Sequence, residues 1–263
     1  MKDDADSMKS TSSDLCNTLR KRSELLQVLA SAPHTRSELS QKLPISRSTI
    51  SRALNVYEKY DCVEQDEEKC RITTTGLLAL AAYNRYVESI SSLLVSSDEL
   101  NSLPDRASVD ISFIQNAQRY PADPSVPGRA LEASNEIIRS ADHFLGLAPV
   151  ALPSYPRSLY EILQDQDLQA EIIIEKDVLK GLRESCSDVM QRLEQMESVS
   201  FWLATQPLPY SIWIAKSPEQ NYAGLTIHAN GGVQAVLINN DPKAVNWALN
   251  QYREFRNGAA TLD

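Results

Sequence analysis

The chain has 263 residues, 42% of them hydrophobic, and a net charge of −9. That is room for one large domain or two ordinary ones, with enough apolar material for a real core. Apolar runs stop well short of the ~20 residues of a membrane span, the opening MKDDADSMKSTSSD lacks a signal-peptide core, and four scattered cysteines with three histidines offer no zinc spacing.

The expectation is therefore a cytoplasmic protein without metal or cofactor, starting with a disordered tail over residues 1–13. Charge is segregated along the rest. Residues 1–96 carry 13 Lys/Arg against 13 Asp/Glu and the remainder 13 against 22, so the whole −9 lies in the second part. The basic piece is residues 35–60, where Arg36, Lys42, Arg47, Arg52 and Lys59 face only Glu38 and Glu58.

In chain order, LCNTLRKRSELLQVLASA places Leu15, Leu19, Leu25, Leu26 and Leu29 at helical spacing up to Pro33. TRSE is a capping box that opens a short helix through Leu43. Pro44 stops it, and Ser46 caps the next helix, with Ile45 and Ile50 placed as a hydrophobic staple. At 100° per residue, Ile50, Ala53, Leu54 and Tyr57 share one side of this helix. Ser48, Arg52, Asn55 and Lys59 share the other, with Ser51 at its edge. Arginine pairs with guanine, asparagine with adenine, and short hydroxyls with phosphate or base edges. A solvated surface helix also presents such a face, so the neighbouring elements decide between the two.

CVEQDEEKCRIT reads as two extended runs around an acidic turn, and TTTGLLAL opens another helix. Helix, helix-turn-helix, hairpin, helix is the order of a winged helix-turn-helix. The stretch TRSELSQKLPISRSTISRALNVYEKYDCVEQDEEKCRITTTG resembles bacterial and archaeal winged-helix transcription regulators. It departs from them at Asp61 and Cys62, where that pattern has Gly and Leu, and at Cys70, where it has an aromatic residue. Both cysteines read as small core residues. The resemblance implies double-stranded DNA as partner, with Arg36, Arg47, Ser48, Thr49, Ser51, Arg52, Asn55 and Lys59 towards it. Lys69 and Arg71 join them from the wing, whose tip at Asp66, Glu67 and Glu68 is too acidic to grip phosphate. Leu80, Tyr83, Val87, Ile90 and Leu94 then step by 3 and 4, either a heptad seam for a homodimer or a face packed on its own domain. The DNA-binding part is expected over residues 14–96.

Residues 97–263 are expected to form an α/β domain. SSDELNSLPDRAS reads as a linker, VDISFIQNAQ as a first strand and RYPADPSVPG as a Pro-rich loop. RALEASNEIIRSA, SLYEILQDQ and DVLKGLRESCSDVMQRLEQM read as helices alternating with the strands HFLGLAPV, AEIIIEK and SVSFWLA, which predicts a partly parallel sheet. YSIWIAK, YAGLTIHA and VQAVLIN follow as antiparallel runs, the last two joined at Asn230-Gly231. Asp241-Pro242 starts a final helix as N-cap and N1.

LGLAPVALPSY and INNDPKAVNWALNQYREFRNGA are similar to the effector domain of archaeal transcription regulators of the methanogenesis and filament-formation type. With the winged helix, the resemblance spans nearly the whole chain. It implies a regulator whose second domain receives a signal from a small molecule or, alternatively, acts as a ligand-independent protein-interaction module. The sheet layout is also similar to phospholipase-D-like regulatory domains, but their catalytic His-x-Lys pattern is absent here, and no residue reads as catalytic. Ligands of open parallel sheets bind beyond the carboxyl ends of the strands, a rim that includes Tyr155, Arg157 and Lys176. Arg157 and Lys176 either hold an anion there or are ordinary solvent-exposed charges.

Overall fold

The computed structural model describes the chain except residues 1, 67, 106, 124, 127, 128, 230, 231 and 263, and the side chains of residues 2–12. The fold is α/β and falls into two compact units, residues 1–88 and 89–263.

In the first unit, α1 (Lys2–Ser31) reaches back across the stretch read as a tail, where neither proline nor glycine interrupts it, and bends at Arg22, whose φ of −147° and ψ of 28° leave the helix. The bend frees carbonyls, and the hydroxyl of buried Tyr57 donates to Arg22 at 2.9 Å and Thr18 at 3.4 Å. A two-residue strand, β1 (His34–Thr35), precedes the capping box. That box forms as read: Glu38 N–H donates to Thr35 Oγ1 at 3.2 Å and Thr35 N–H to Glu38 Oε2 at 2.8 Å, opening α2 (Arg36–Lys42). Ser46 Oγ accepts from Thr49 N–H and opens α3 (Arg47–Lys59). The wing is β2 (Val63–Asp66) and β3 (Lys69–Ile72), in a three-stranded sheet of order β1-β3-β2. Cys62 and Cys70 are fully buried among leucines of α1 and α3.

Helix α4 (Thr74–Val95) starts under tight constraints. Gly76 N–H donates to Thr73 Oγ1 at 3.0 Å, and a Cβ on Gly76 would stand 2.0 Å from the Cys62 carbonyl oxygen. The structure divides the expected heptad seam. Leu80 is buried in the first unit's core and Tyr83 packs against it, whereas Val87, Ile90 and Leu94 are 41%, 41% and 70% exposed. Leu80 and Tyr83 thus serve their own unit's core, and Val87, Ile90 and Leu94 are the part of the stripe left exposed.

The second unit begins with α5 (Ser97–Leu100), inside the stretch read as a linker. Leu100 and Leu103 pack on the core here, and buried Glu99 accepts from Arg119 Nε at 2.9 Å. The expected first strand is instead α6 (Ile111–Ile114), capped by Asp110, with adjacent Phe113 and Ile114 both buried rather than alternating. Asn239 secures it, donating to the carbonyls of Phe113 at 2.9 Å and Gln115 at 2.7 Å. The strand comes later, as β4 (Gln118–Pro121). It pairs only with a strand on one side, which is where a proline is tolerated in a sheet.

Then come α7 (Arg129–Arg139), β5 (His143–Ala148), α8 (Ser154–Asp165) and β6 (Gln169–Ile174). The long helix read next is two, α9 (Lys176–Ser185) and α10 (Ser187–Glu194), broken at Cys186, whose φ of −145° and ψ of 51° are non-helical. After them, β7 (Val199–Leu203), β8 (Ser211–Lys216), β9 (Tyr222–Ala229) and β10 (Gly232–Asn239) lead to α11 (Pro242–Gly258) and β11 (Ala260–Thr261). β9 and β10 pair antiparallel, and their Asn230-Gly231 connection lies outside the described residues.

The eight strands run β11-β7-β6-β5-β8-β9-β10-β4, parallel across β5, β6 and β7 and antiparallel elsewhere. Both faces are covered, so strand residues alternate between two cores, as the two-residue period requires. Ala170, Ile172, Ile174, Trp213 and Val236 join the core beneath α7 to α10. Leu145, Ile173, Ile212, Ile214 and Leu237 join the one beneath α6 and α11.

Candidate nucleic-acid interface and ligand cavity

Helix α3 buries Ile50, Ala53, Leu54 and Tyr57. The same helical phase leaves Arg47, Ser48, Arg52 and Asn55 exposed. Arg52 Nε donates to the Ser48 carbonyl at 3.3 Å, which lays its guanidinium along the helix. Thr49, half-buried, belongs to the cap, its Oγ1 2.9 Å from Ser46 Oγ, and Ser51 is half-buried at the edge.

Three of the other basic residues of the set, Arg36, Lys59 and Arg71, are engaged inside the unit. Arg36 donates to Glu58 at 3.2 Å and to Gln65 at 3.4 Å, tying α2 to α3 and β2. Lys59 lies 3.7 Å from Asp14 and 4.8 Å above the Tyr60 ring. Arg71 pairs with Asp66 across the wing at 3.1 Å, while Lys69 is exposed beside them. The local excess of positive charge read from residues 35–60 is therefore smaller in space than in sequence, and it concentrates on α3.

In the second unit a cavity of about 130 Å³ lies between the sheet and helices α7 and α8. Its walls are mostly apolar, among them Leu131, Ile138, Phe144, Leu159 and Ile172. Trp213 forms the floor. Its ring lies flat against the sheet because the facing residue on β9 is Gly224, where a Cβ would stand 2.0 Å from an indole carbon. Among the described residues, no lysine, arginine, aspartate or glutamate lines the space.

Its polar groups are few. Tyr155 Oη lies 2.9 Å from His228 Nε2 and also hydrogen-bonds Thr226. Burial pushes the His228 pKa down to about 4, so at neutral pH the imidazole is neutral, and its tautomer sets which partner of the pair donates. Burial raises the Tyr155 pKa as well, keeping that hydroxyl protonated. Ser211 Oγ donates to the Leu147 carbonyl at 3.3 Å. Ser134, 3% exposed on α7, is different: its Oγ is buried and has no hydrogen-bond partner. An unsatisfied hydroxyl of this kind costs about 1–3 kcal/mol.

The structure thus sorts the expected ligand residues. Tyr155 lines the cavity, whereas Arg157 and Lys176 are exposed and do not. Ser134, Trp213 and Thr226, which line it, and His228, which meets Tyr155, are not among the ligand residues expected from the sequence. One signal was visible: Ala130, Ser134 and Ile138 step by four along the buried stripe of α7, with a serine in the middle. Among the described residues no group of three His, Cys, Asp or Glu could hold a metal ion, and no helix is long and apolar enough to cross a membrane.

A three-stranded winged helix-turn-helix joined to an α/β unit defines the class, that of the archaeal transcription regulators. Within it, the chain belongs to the family described as methanogenesis regulatory protein FilR1, middle domain, whose match covers residues 127–258, just over half of the sequence. Residues 11–93 match a second family, the HVO_A0261 N-terminal domain. No curated protein matches the chain. Among solved structures, it is similar to TrmBL2, described as an archaeal chromatin protein with a novel mode of DNA binding. That similarity has a TM-score of 0.43 and 12% identity over 95% of this chain and 99% of that one. NucT from Helicobacter pylori gives a TM-score of 0.41 and 11% identity over 56% of this chain and 99% of its own. The phospholipase D family member Nuc from Salmonella typhimurium gives 0.40 and 12%, over 56% and 97%. Similarities this low assign no residue roles.

Proposed function

We propose that the chain is a cytoplasmic, sequence-specific DNA-binding regulator. In this reading two copies read a palindromic operator, and the α/β unit, residues 97–263, controls them in response to a small molecule. The carrying observation is α3: one face is wholly committed to the core, and the opposite face presents Arg47, Ser48, Arg52 and Asn55 to solvent. In a helix-turn-helix this second helix enters the major groove and its side chains reach base edges. Arg52 and Asn55 are the base readers and Arg47, at the helix start, a phosphate contact. Lys69 reaches phosphate from the wing, while Arg36, Lys59 and Arg71 serve the fold first. Val87, Ile90 and Leu94, apolar and exposed on α4, form the dimer contact. An internal cavity favours a small-molecule signal over a pure protein-docking module, and a regulator's family favours binding over catalysis.

The test is binding of the full chain to genomically mapped sites and to scrambled DNA across a salt series. Arg52→Ala should lose about 1–3 kcal/mol at the operator and relax one base position. Arg47→Ala should weaken all sequences alike and reduce the salt slope by roughly one unit. An Arg52→Ala protein that folds and keeps its full specificity ratio would remove α3 from the role of reader.

A further inference from the structure

The acidic unit holds a space that its fold does not need. Cores pack to a density that leaves few voids larger than a water molecule, yet here about 130 Å³ stays open between α7, α8 and the sheet. The opening is built from small side chains at places where larger ones would close it: Ser134 on α7, Gly146 on β5, Ser158 on α8 and Ser211 on β8. It lies behind the carboxyl end of β5, where Ala148 and Val150 line it together with the half-buried Leu131, Asn135 and Tyr155.

We propose that this cavity is the ligand pocket of the chain, and that it takes a neutral, ring-sized, largely apolar molecule carrying one hydrogen-bonding group, which Ser134 holds. This rests on the effector reading above and names the chemistry of that effector. Size comes from the volume: an apolar protein cavity of about 150 Å³ admits benzene. Charge comes from the walls, since among the described residues no Lys or Arg lines them to pair with an anion and no Asp or Glu to pair with a cation. A carboxylate or phosphate carried inside would sit uncompensated in an apolar space. Sugars need many partners, and three of the six polar side chains that line the space are already engaged: Tyr155 bonds His228 and Thr226, and Ser211 bonds a carbonyl. Of the other three, Asn135 and Ser158 are half-buried, whereas Ser134 Oγ is nearly wholly buried and unpartnered. Water satisfies it poorly, because a buried water needs two to four polar partners. A ring bearing a hydroxyl or carbonyl satisfies Ser134 and lays its apolar part over Trp213.

The experiment is calorimetric titration of the full chain with phenol, benzene and benzoate as probes. Phenol and benzene should bind and benzoate should not. Ser134→Ala should weaken phenol at least tenfold while changing benzene less than about twofold. Ser134→Leu, which fills the space, should abolish both. If that variant fails to fold, the alanine variant still decides. Benzoate binding as tightly as phenol, no binding of either neutral probe, or phenol affinity unmoved by Ser134→Ala would each overturn the proposal. Operator affinity with and without phenol is a separate arm. Phenol that binds with the expected variant pattern but leaves operator affinity unchanged supports the pocket and overturns effector control.

Discussion

Helices α3 and α7 are both amphipathic, and they carry function in opposite directions. On α3 the polar residues that matter point outward: Arg52 and Asn55 lie opposite Ile50, Leu54 and Tyr57. On α7 the residue that matters points inward, with Ser134 between Ala130 and Ile138 on the buried stripe. An outward function obeys the helical period and is announced by it. An inward function breaks the period at one position, and a single serine on an apolar face is easily passed over as tolerance.

The contrast can be tested by disturbing each unit's support in turn. The largest effect should come from Ile50→Ala, which removes a fully buried side chain beneath the DNA-facing helix at a cost of about 3–4 kcal/mol. Thermal unfolding should show the loss in the winged-helix unit, and operator binding should fall with it. Arg119→Ala is the counterpart in the second unit. It strands Glu99, which is 3% exposed and takes its hydrogen bonds from Arg119, and should cost about 3 kcal/mol. An Arg119→Ala protein of unchanged stability would mean that the link from α5 to β4 is ornamental.

A pH series separates the units more gently. His228 has a folded pKa of about 4, below the ~6.5 of a free histidine. Between those values only the unfolded chain takes up the proton, so stability is full above pH ~6.5 and declines as pH falls towards 4. Denaturation midpoints measured across this window should fall with pH in the wild type and flatten in His228→Gln. An equal slope in both would place the titration on another group. The smallest effect is expected at Asp61, which holds a φ of 52° where related winged helices have glycine. Asp61→Gly should relieve that left-handed backbone and stabilise the first unit by about 0.5–1 kcal/mol, read as a higher melting temperature.

Much of the fold was legible because local chemistry decides it. Thr35 with Glu38, Ser46, and Asp241 with Pro242 mark helix starts by hydrogen bonds that span three residues or fewer, and all form as read. The failures share a long-range cause. Residues 111–114 have strand-like composition but coil into α6 because Asn239, more than a hundred positions away, takes up the carbonyls of Phe113 and Gln115. The interruption at Cys186 is likewise hidden in an otherwise regular helical pattern. Of the candidate sites, the α3 face is read from a window of 13 residues. The cavity gathers Ser134, Gly146, Ser211 and Thr226 from four elements, and no periodicity connects them. Formal charge misled for a related reason: Arg157 and Lys176 were conspicuous in sequence, but the space that could hold a ligand is lined without them.

The large sheet has another consequence, for solubility. An unpaired strand edge is a row of amides and carbonyls on which another chain can grow. At one border β11 adds only two residues, Ala260 and Thr261, along Leu203 and Trp202, too short a template to extend. At the other border β4 is four residues long, carries Arg119 and ends at Pro121, which has no N–H to offer. A sheet whose inner strands are rich in valine, isoleucine and leucine thus ends on short strands at both borders, one of them a two-residue stub and the other charged and ended by proline, which limits its growth by edge pairing.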